Sequence, residues 1–431
     1  MSSIRKKAQP TTSYLTLFIA TIIVGIGSGF FAMLLALLLH FLQHVAYGYS
    51  LGQIISSESF LEGVSASSPL RRVIVLMLCG LIAGVGWWAL YRFGKPLVSI
   101  AEAVKTKKMM PPSATIIHAL LQIITIALGS PLGREVAPRE VGAIFSFWFA
   151  SKLKLSVDEA TILLACGAGA GLAAVYNVPL GGALFIMEVL LCTFNWSVLI
   201  PALTTCAIAV VISWIGLGNE PLYHIPDLHI SYPLVVWSIL AGPIFGYAAY
   251  WFILIANKAR THSHHNWHMP IICFINFTLI GVLAMYFPSL LGNGKSPAEM
   301  EFDDLDNVVG IELSLTLLVL RVLICWSSLG SGAQGGLLTP SLANGALLAV
   351  VLGGLWNLLW PETSLSAFAI IGAAAFLAAA QKMPITAIVL IFELTRIKFN
   401  FLIPILFAVS GAVGMSKLCM NGFLQVQKAK T

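Results

Sequence analysis

Apolar stretches alternate with short polar breaks along almost the whole chain. The runs fall at 14–45, 70–91, 115–128, 141–150, 160–175, 180–194 and 199–217, then at 234–257, 270–287, 311–329, 342–360, 368–380, 385–395 and 401–419. A helix needs about 20 apolar residues to cross the hydrocarbon core of a bilayer. Several runs are shorter than that, and glycine and proline interrupt them. The pattern therefore predicts an all-α polytopic membrane protein with tilted, broken and re-entrant helices rather than an up-and-down bundle. Polar linkers at 56–68, 261–268 and 295–307 are too short for a second folded domain. The expected organisation is a cytoplasmic tail over 1–13, one transmembrane unit over 14–420, and a short tail over 421–431 with no regulatory domain.

An internal repeat divides that unit. Gly167-Ala168-Gly169-Ala170-Gly171-Leu172-Ala173-Ala174 recurs as Gly372-Ala373-Ala374-Ala375-Phe376-Leu377-Ala378-Ala379. In the same register Pro179 meets Pro384, Ile186 meets Ile391 and Glu188 meets Glu393. Upstream, Pro138 meets Pro340 at an offset of 202 rather than the 205 of these pairs. Gly/Ala-rich helices pack generically in membranes, but matched prolines and glutamates at a constant offset point to two halves, about 14–217 and 232–420. Corresponding interrupted segments in two such halves point to a transport site where the halves meet.

Composition settles the surroundings: 58% of residues are hydrophobic, 10% charged, and the mean hydropathy is +0.91. The net charge of +6 gathers in Arg5-Lys6-Lys7, Lys105-Thr106-Lys107-Lys108 and Lys428-Ala429-Lys430. The positive-inside tendency places these patches, and both termini, on the cytoplasmic side of a cell inner membrane. No basic face interleaved with aromatics appears, which argues against nucleic acid as a partner. No signal peptide is evident, since the first run is too long and lacks a small-residue cleavage site. The seven cysteines stand singly in apolar runs and suggest neither disulfides nor a metal site. His262, His264, His265 and His268 lie in a polar linker without acidic or cysteine partners, so that segment reads as a solvated loop. No metal and no cofactor is expected. Neither HExxH nor GxSxG occurs, which argues against an intramembrane enzyme.

The chemistry gathers at two broken segments. In Gly129-Ser130-Pro131-Leu132-Gly133-Arg134-Glu135-Val136-Ala137-Pro138 a glutamate stands inside apolar sequence. A carboxylate there costs at least a few kcal/mol and is rarely without a task. Pro138 suits the first turn of a new helix, whose N-terminal N–H groups attract anions. Gly335-Gly336-Leu337-Leu338-Thr339-Pro340 repeats the design, with Thr339 adding a hydroxyl. Glu135 thus reads as an acid held where an anion would otherwise bind. Arg134 reads as a structural partner of carboxylates or carbonyls, and Glu188 and Glu393 as acceptors for buried backbone donors.

These segments, with Gly167–Leu180 and Phe185-Ile186-Met187-Glu188, resemble the CLC family of chloride channels and anion/proton antiporters over about 24–419. The resemblance implies two inverted-topology halves, a homodimer with one anion path per subunit, and Glu135 as gating glutamate and proton acceptor. It also implies an anion site built from Val136, Ala137, Leu337, Leu338 and Thr339, braced by Pro138 and Pro340. Gly-Arg-Glu-Val-Ala-Pro resembles the fluoride-exporting branch, so the expected partners are fluoride or chloride, protons and lipid. The family's central serine has no match by motif, and counting back without gaps leaves Gly94 or Lys95 at its place. Val189 stands where chloride antiporters carry a second, proton-relaying glutamate, and no tyrosine falls near Phe423 to Gln425, where the family carries one.

Overall fold

The structure is a computed structural model that describes residues 14–49, 59–263, 265–302, 310–361 and 363–428. His264, the basic run Arg5 to Lys7, and Ala429 and Lys430 of the C-terminal patch lie outside the described residues. Within them the chain forms 17 α-helices and no strand. In the first half these are α1 (Tyr14–Tyr47), α2 (Phe60–Ala66), α3 (Pro69–Phe93), α4 (Ile100–Thr106), α5 (Pro112–Ala127), α6 (Val136–Lys152), α7 (Val157–Tyr176), α8 (Pro179–Phe185) and α9 (Trp196–Leu217). The second half contributes α10 (Tyr232–Thr261), α11 (Met269–Tyr286), α12 (Lys295–Phe302), α13 (Ile311–Ser331), α14 (Leu338–Asn357), α15 (Leu365–Gln381), α16 (Pro384–Thr395) and α17 (Leu402–Lys428). Among the described residues, 9 helices are long and apolar enough to cross a membrane, while α5, α15 and α16 are shorter.

Every predicted run is a helix, but three helices lie outside the runs. α2 and α12 occupy parts of two expected linkers, and α4 lies between two runs. Their polar residues hide them from a hydropathy reading, yet Ser59 and Ser99 cap α2 and α4 by accepting the N–H three residues on. The last helix continues through most of the expected C-terminal tail, to Lys428.

The repeat is present in backbone detail. Asn177 ends α7 at φ 57° and Lys382 ends α15 at φ 56°, both left-handed. Val178 and Met383 then lead into α8 and α16, each opening on proline. Packing repeats as well: α6 lies on α7 as α14 lies on α15, and α1 on α9 as α10 on α17. Glycine permits the first of these close approaches twice. A Cβ on Gly345 would come within 2.5 Å of the Gly372 carbonyl, and one on Gly167 would overlap Gly142.

Two helix pairs stand out among the contacts that join the halves: α3 packs on α11, and α8 packs on α16. The second is sealed by an exchange of carboxylates. Glu393 accepts the N–H groups of Leu180 (2.8 Å) and Gly181 (2.6 Å) at the start of α8. Glu188 accepts those of Ile385 (3.1 Å) and Thr386 (2.7 Å) at the start of α16, with the Thr386 hydroxyl at 2.6 Å. Each half caps a helix of the other.

Candidate functional site

The two broken segments meet in the middle of the protein. Gly133 and Gly336 exchange backbone hydrogen bonds at 2.8 Å in each direction, in antiparallel sense. The segments then turn into α6 and α14, so two helix N-termini open beside each other. Pro138 and Pro340 are each the third residue of their helix, where a missing N–H costs nothing.

Glu135 lies at this junction, immediately ahead of α6 and only 1% exposed. Its Oε1 accepts the N–H of Leu338, the first residue of α14, at 2.7 Å. Its Oε2 has no hydrogen-bond partner among the described residues. The carboxylate lies against Gly133 and Gly336, where any side chain would overlap it. Here glycine serves close approach rather than an unusual backbone angle. Arg139, one turn on, donates from Nε to the Glu135 carbonyl at 2.8 Å and stacks over Phe185.

Two cavities border the junction and share no lining residue. One, of about 540 Å³, is lined by Arg134, Tyr176, His40, His224, Lys295 and Glu299 among others. The second, of about 370 Å³, is lined by Glu135, Val136, Leu337 and Leu338 together with Ser99, Val189 and Arg260. Arg134 therefore lines one cavity and its chain neighbour Glu135 the other.

The structure gathers Glu135, Val136, Leu337 and Leu338 around the second cavity. Ala137 and Thr339 are buried in the first turns of α6 and α14. The Thr339 hydroxyl pairs with the hydroxyl of Tyr176 at 3.1 Å. Among the described residues Arg134 makes no ion pair with a carboxylate; its guanidinium lies over the Tyr176 ring, 5.4 Å from the centroid. Arg139, which no sequence motif singles out, holds the backbone carbonyl instead. Gly94 and Lys95 are not brought to the site. Gly94 closes the C-terminus of α3, both are exposed, and neither lines the cavity. The chain runs extended through Pro96 to Val98, and Ser99, Ile100 and Ala101 at the start of α4 line the cavity instead. A count without gaps could not see that extended stretch, but Ser99 followed by Glu102 was a capping signal that could have.

Tyr176 was also missed. Its only sequence cue was its place at the end of the Gly/Ala repeat, just before Asn177. His262, His265 and His268 hold no metal-binding cluster among the described residues, and His265 stacks on Tyr91.

The profile of the family described as voltage gated chloride channel matches residues 79–417. The voltage-gated ClC-type chloride channel ClcB of Citrobacter koseri is 28% identical over 353 residues, covering 78% of this chain and 82% of the relative. Its counterpart from Salmonella typhimurium is 27% identical over 352 residues, with the same coverage of 78% and 82%. Among solved structures, a slow cyanobacterial Cl⁻/H⁺ antiporter superposes with a TM-score of 0.80 at 20% identity, covering 95% of this chain and 96% of that one. A CLC-type fluoride/proton antiporter superposes at 0.68 and 20% identity, covering 94% and 97%. At such identity the superpositions establish a shared fold.

Proposed function

The chain belongs to the voltage gated chloride channel family, and from that premise we propose that it exchanges a small halide for protons through a path that Glu135 opens and closes. One observation carries the reading. A buried carboxylate, bonded through one oxygen to the first N–H of α14, lines one of two cavities that border the junction, while its neighbour Arg134 lines the other. While ionised, it occupies the N–H donors an anion would need. Once protonated it loses the charge those donors hold, and a halide takes its place. The Glu135 carboxylate and the anion thus compete for one position, and protonation decides between them.

Arg134 and Lys295 bring cationic groups to the lining of the larger cavity, with Glu220 and Glu299 beside them. We place that cavity on the outer face and the Glu135 cavity on the cytoplasmic face, because α4, which borders the latter, runs directly into Lys105 to Lys108. By resemblance to the family the working unit is a homodimer in the inner membrane, each subunit with its own path.

Two readings of the anion stand. Fluoride export is supported by the hydroxyls of Thr339 and Tyr176 beside the α14 terminus, because a tightly hydrated ion requires compact, strong donors to replace its water. Chloride is supported by the two ClcB relatives. Purified protein in liposomes, with fluoride, chloride and pH recorded together, separates them. Faster fluoride than chloride efflux, with protons moving the opposite way, is the expected result. Equal or faster chloride flux selects the second reading. Glu135→Gln, which cannot ionise, should abolish anion-driven proton movement in either case; its persistence would remove Glu135 from the mechanism.

A further inference from the structure

The Glu135 cavity contains a second carboxylate that the gate leaves unused. Glu140 lies on α6 five residues beyond Glu135, about one and a half turns along the helix. It is 7% exposed and lines the same cavity. Besides Glu135 it is the cavity's only carboxylate among the described residues. Its oxygens face His118 on α5, with Oε2 at 2.9 Å and Oε1 at 3.1 Å from Nδ1. Gln122, one turn further along α5, donates from Nε2 to Glu140 Oε2 at 3.2 Å.

This buried cluster is not fully satisfied. Gln122 Oε1 has no hydrogen-bond partner among the described residues. Nor has Nε1 of Trp87, whose ring lies 6.4 Å from that of His118. An unpaired buried acceptor costs about 1–3 kcal/mol, so bracing α5 against α6 is a poor sole reason for the arrangement. A proton on Glu140 would create an O–H donor that the Gln122 carbonyl can accept once its amide rotates. The cluster therefore has hydrogen bonding available for both protonation states of Glu140. Charged and titratable groups approach from several elements: Arg139 on α6, Tyr91 on α3, Arg260 on α10, and Glu135 across the cavity. A cavity of about 370 Å³ has room for several waters, each filling about 30 Å³.

We propose that Glu140 is the proton acceptor between Glu135 and the solution at the cytoplasmic mouth, with His118 and Gln122 positioning its carboxylate. The proton leaves the Glu135 carboxyl through cavity water and reaches the Glu140 carboxylate; Glu135 becomes ionised again and Glu140 neutral. Glu140 then releases the proton to the cytoplasmic solution, and uptake runs the same steps in reverse. Val189, which lines the cavity beside it, offers no titratable group.

The proposal rests on Glu135 as the gate, and one assay separates the two claims. In liposomes holding the full chain, protons moved per halide are measured for wild type, Glu135→Gln, Glu140→Gln, Glu140→Asp and His118→Gln. Glu140→Gln should lower that ratio on the order of 100-fold, and Glu140→Asp, which still titrates, should restore part of it. A merely structural role would depress both fluxes together and leave the ratio unchanged, which overturns the proposal. If Glu140→Gln does not run as a single species in detergent, His118→Gln decides in its place, and a wild-type ratio there is equally fatal. A lost ratio in Glu135→Gln with a wild-type ratio in Glu140→Gln rejects the relay alone. A wild-type ratio in Glu135→Gln rejects the gate.

Discussion

The hydroxyls of Thr339 and Tyr176, 3.1 Å apart and buried, satisfy one another at the start of α14. Removing either leaves the other unpaired, at a cost of about 1–3 kcal/mol. Thr339→Val and Tyr176→Phe should each lower thermal stability in detergent, while the double variant recovers most of the loss. Strictly additive losses would show that the two hydroxyls do not depend on one another. At this scale the sequence was legible where chemistry and motif coincide. Glu135, Leu338 and the flanking glycines are recognisable because a carboxylate in apolar, glycine-broken sequence is too costly to be kept without a task. Tyr176, Arg139 and the His118–Glu140 pair carry no such mark. Their partners lie on other turns or other helices, and only packing brings them together.

Among elements, the carboxylates exchanged between α8 and α16 make a symmetrical test. Glu393→Gln and Glu188→Gln each remove a charge from a helix N-terminus and one of two acceptor oxygens. Either change should destabilise by about 1–2 kcal/mol, and the two should match within error, read as thermal midpoints in detergent. A clear inequality would show that the two caps are not equivalent despite their matching register. Helix positions were readable because burial in lipid and protein leaves long apolar runs. The ends of α2, α4 and α12 were not, because helices of 7 or 8 residues barely complete two turns and carry polar faces. The place of Gly94 and Lys95 away from the cavity has the same origin, since the count passed over the start of α4.

For the molecule as a whole, the assignment of faces makes a direct prediction. Glu220 lines the Arg134 cavity and Lys107 follows α4; both are exposed. With the exposed Cys192 and the partly exposed Cys419 replaced, an impermeant thiol reagent on intact cells should label Glu220→Cys and spare Lys107→Cys. The reverse pattern would invert the protein in its membrane. The shared caps also bear on how the chain is made. The acceptor for the Leu180 N–H lies 213 residues further on, and the Leu338 N–H that holds Glu135 comes 203 residues after it. While the ribosome is still completing the second half, the first lacks both the acceptor that caps α8 and the donor that holds Glu135. It has no complete passage either, because each route is walled by both halves. On the function proposed above, the path and the carboxylate that closes it therefore come into being in the same folding event.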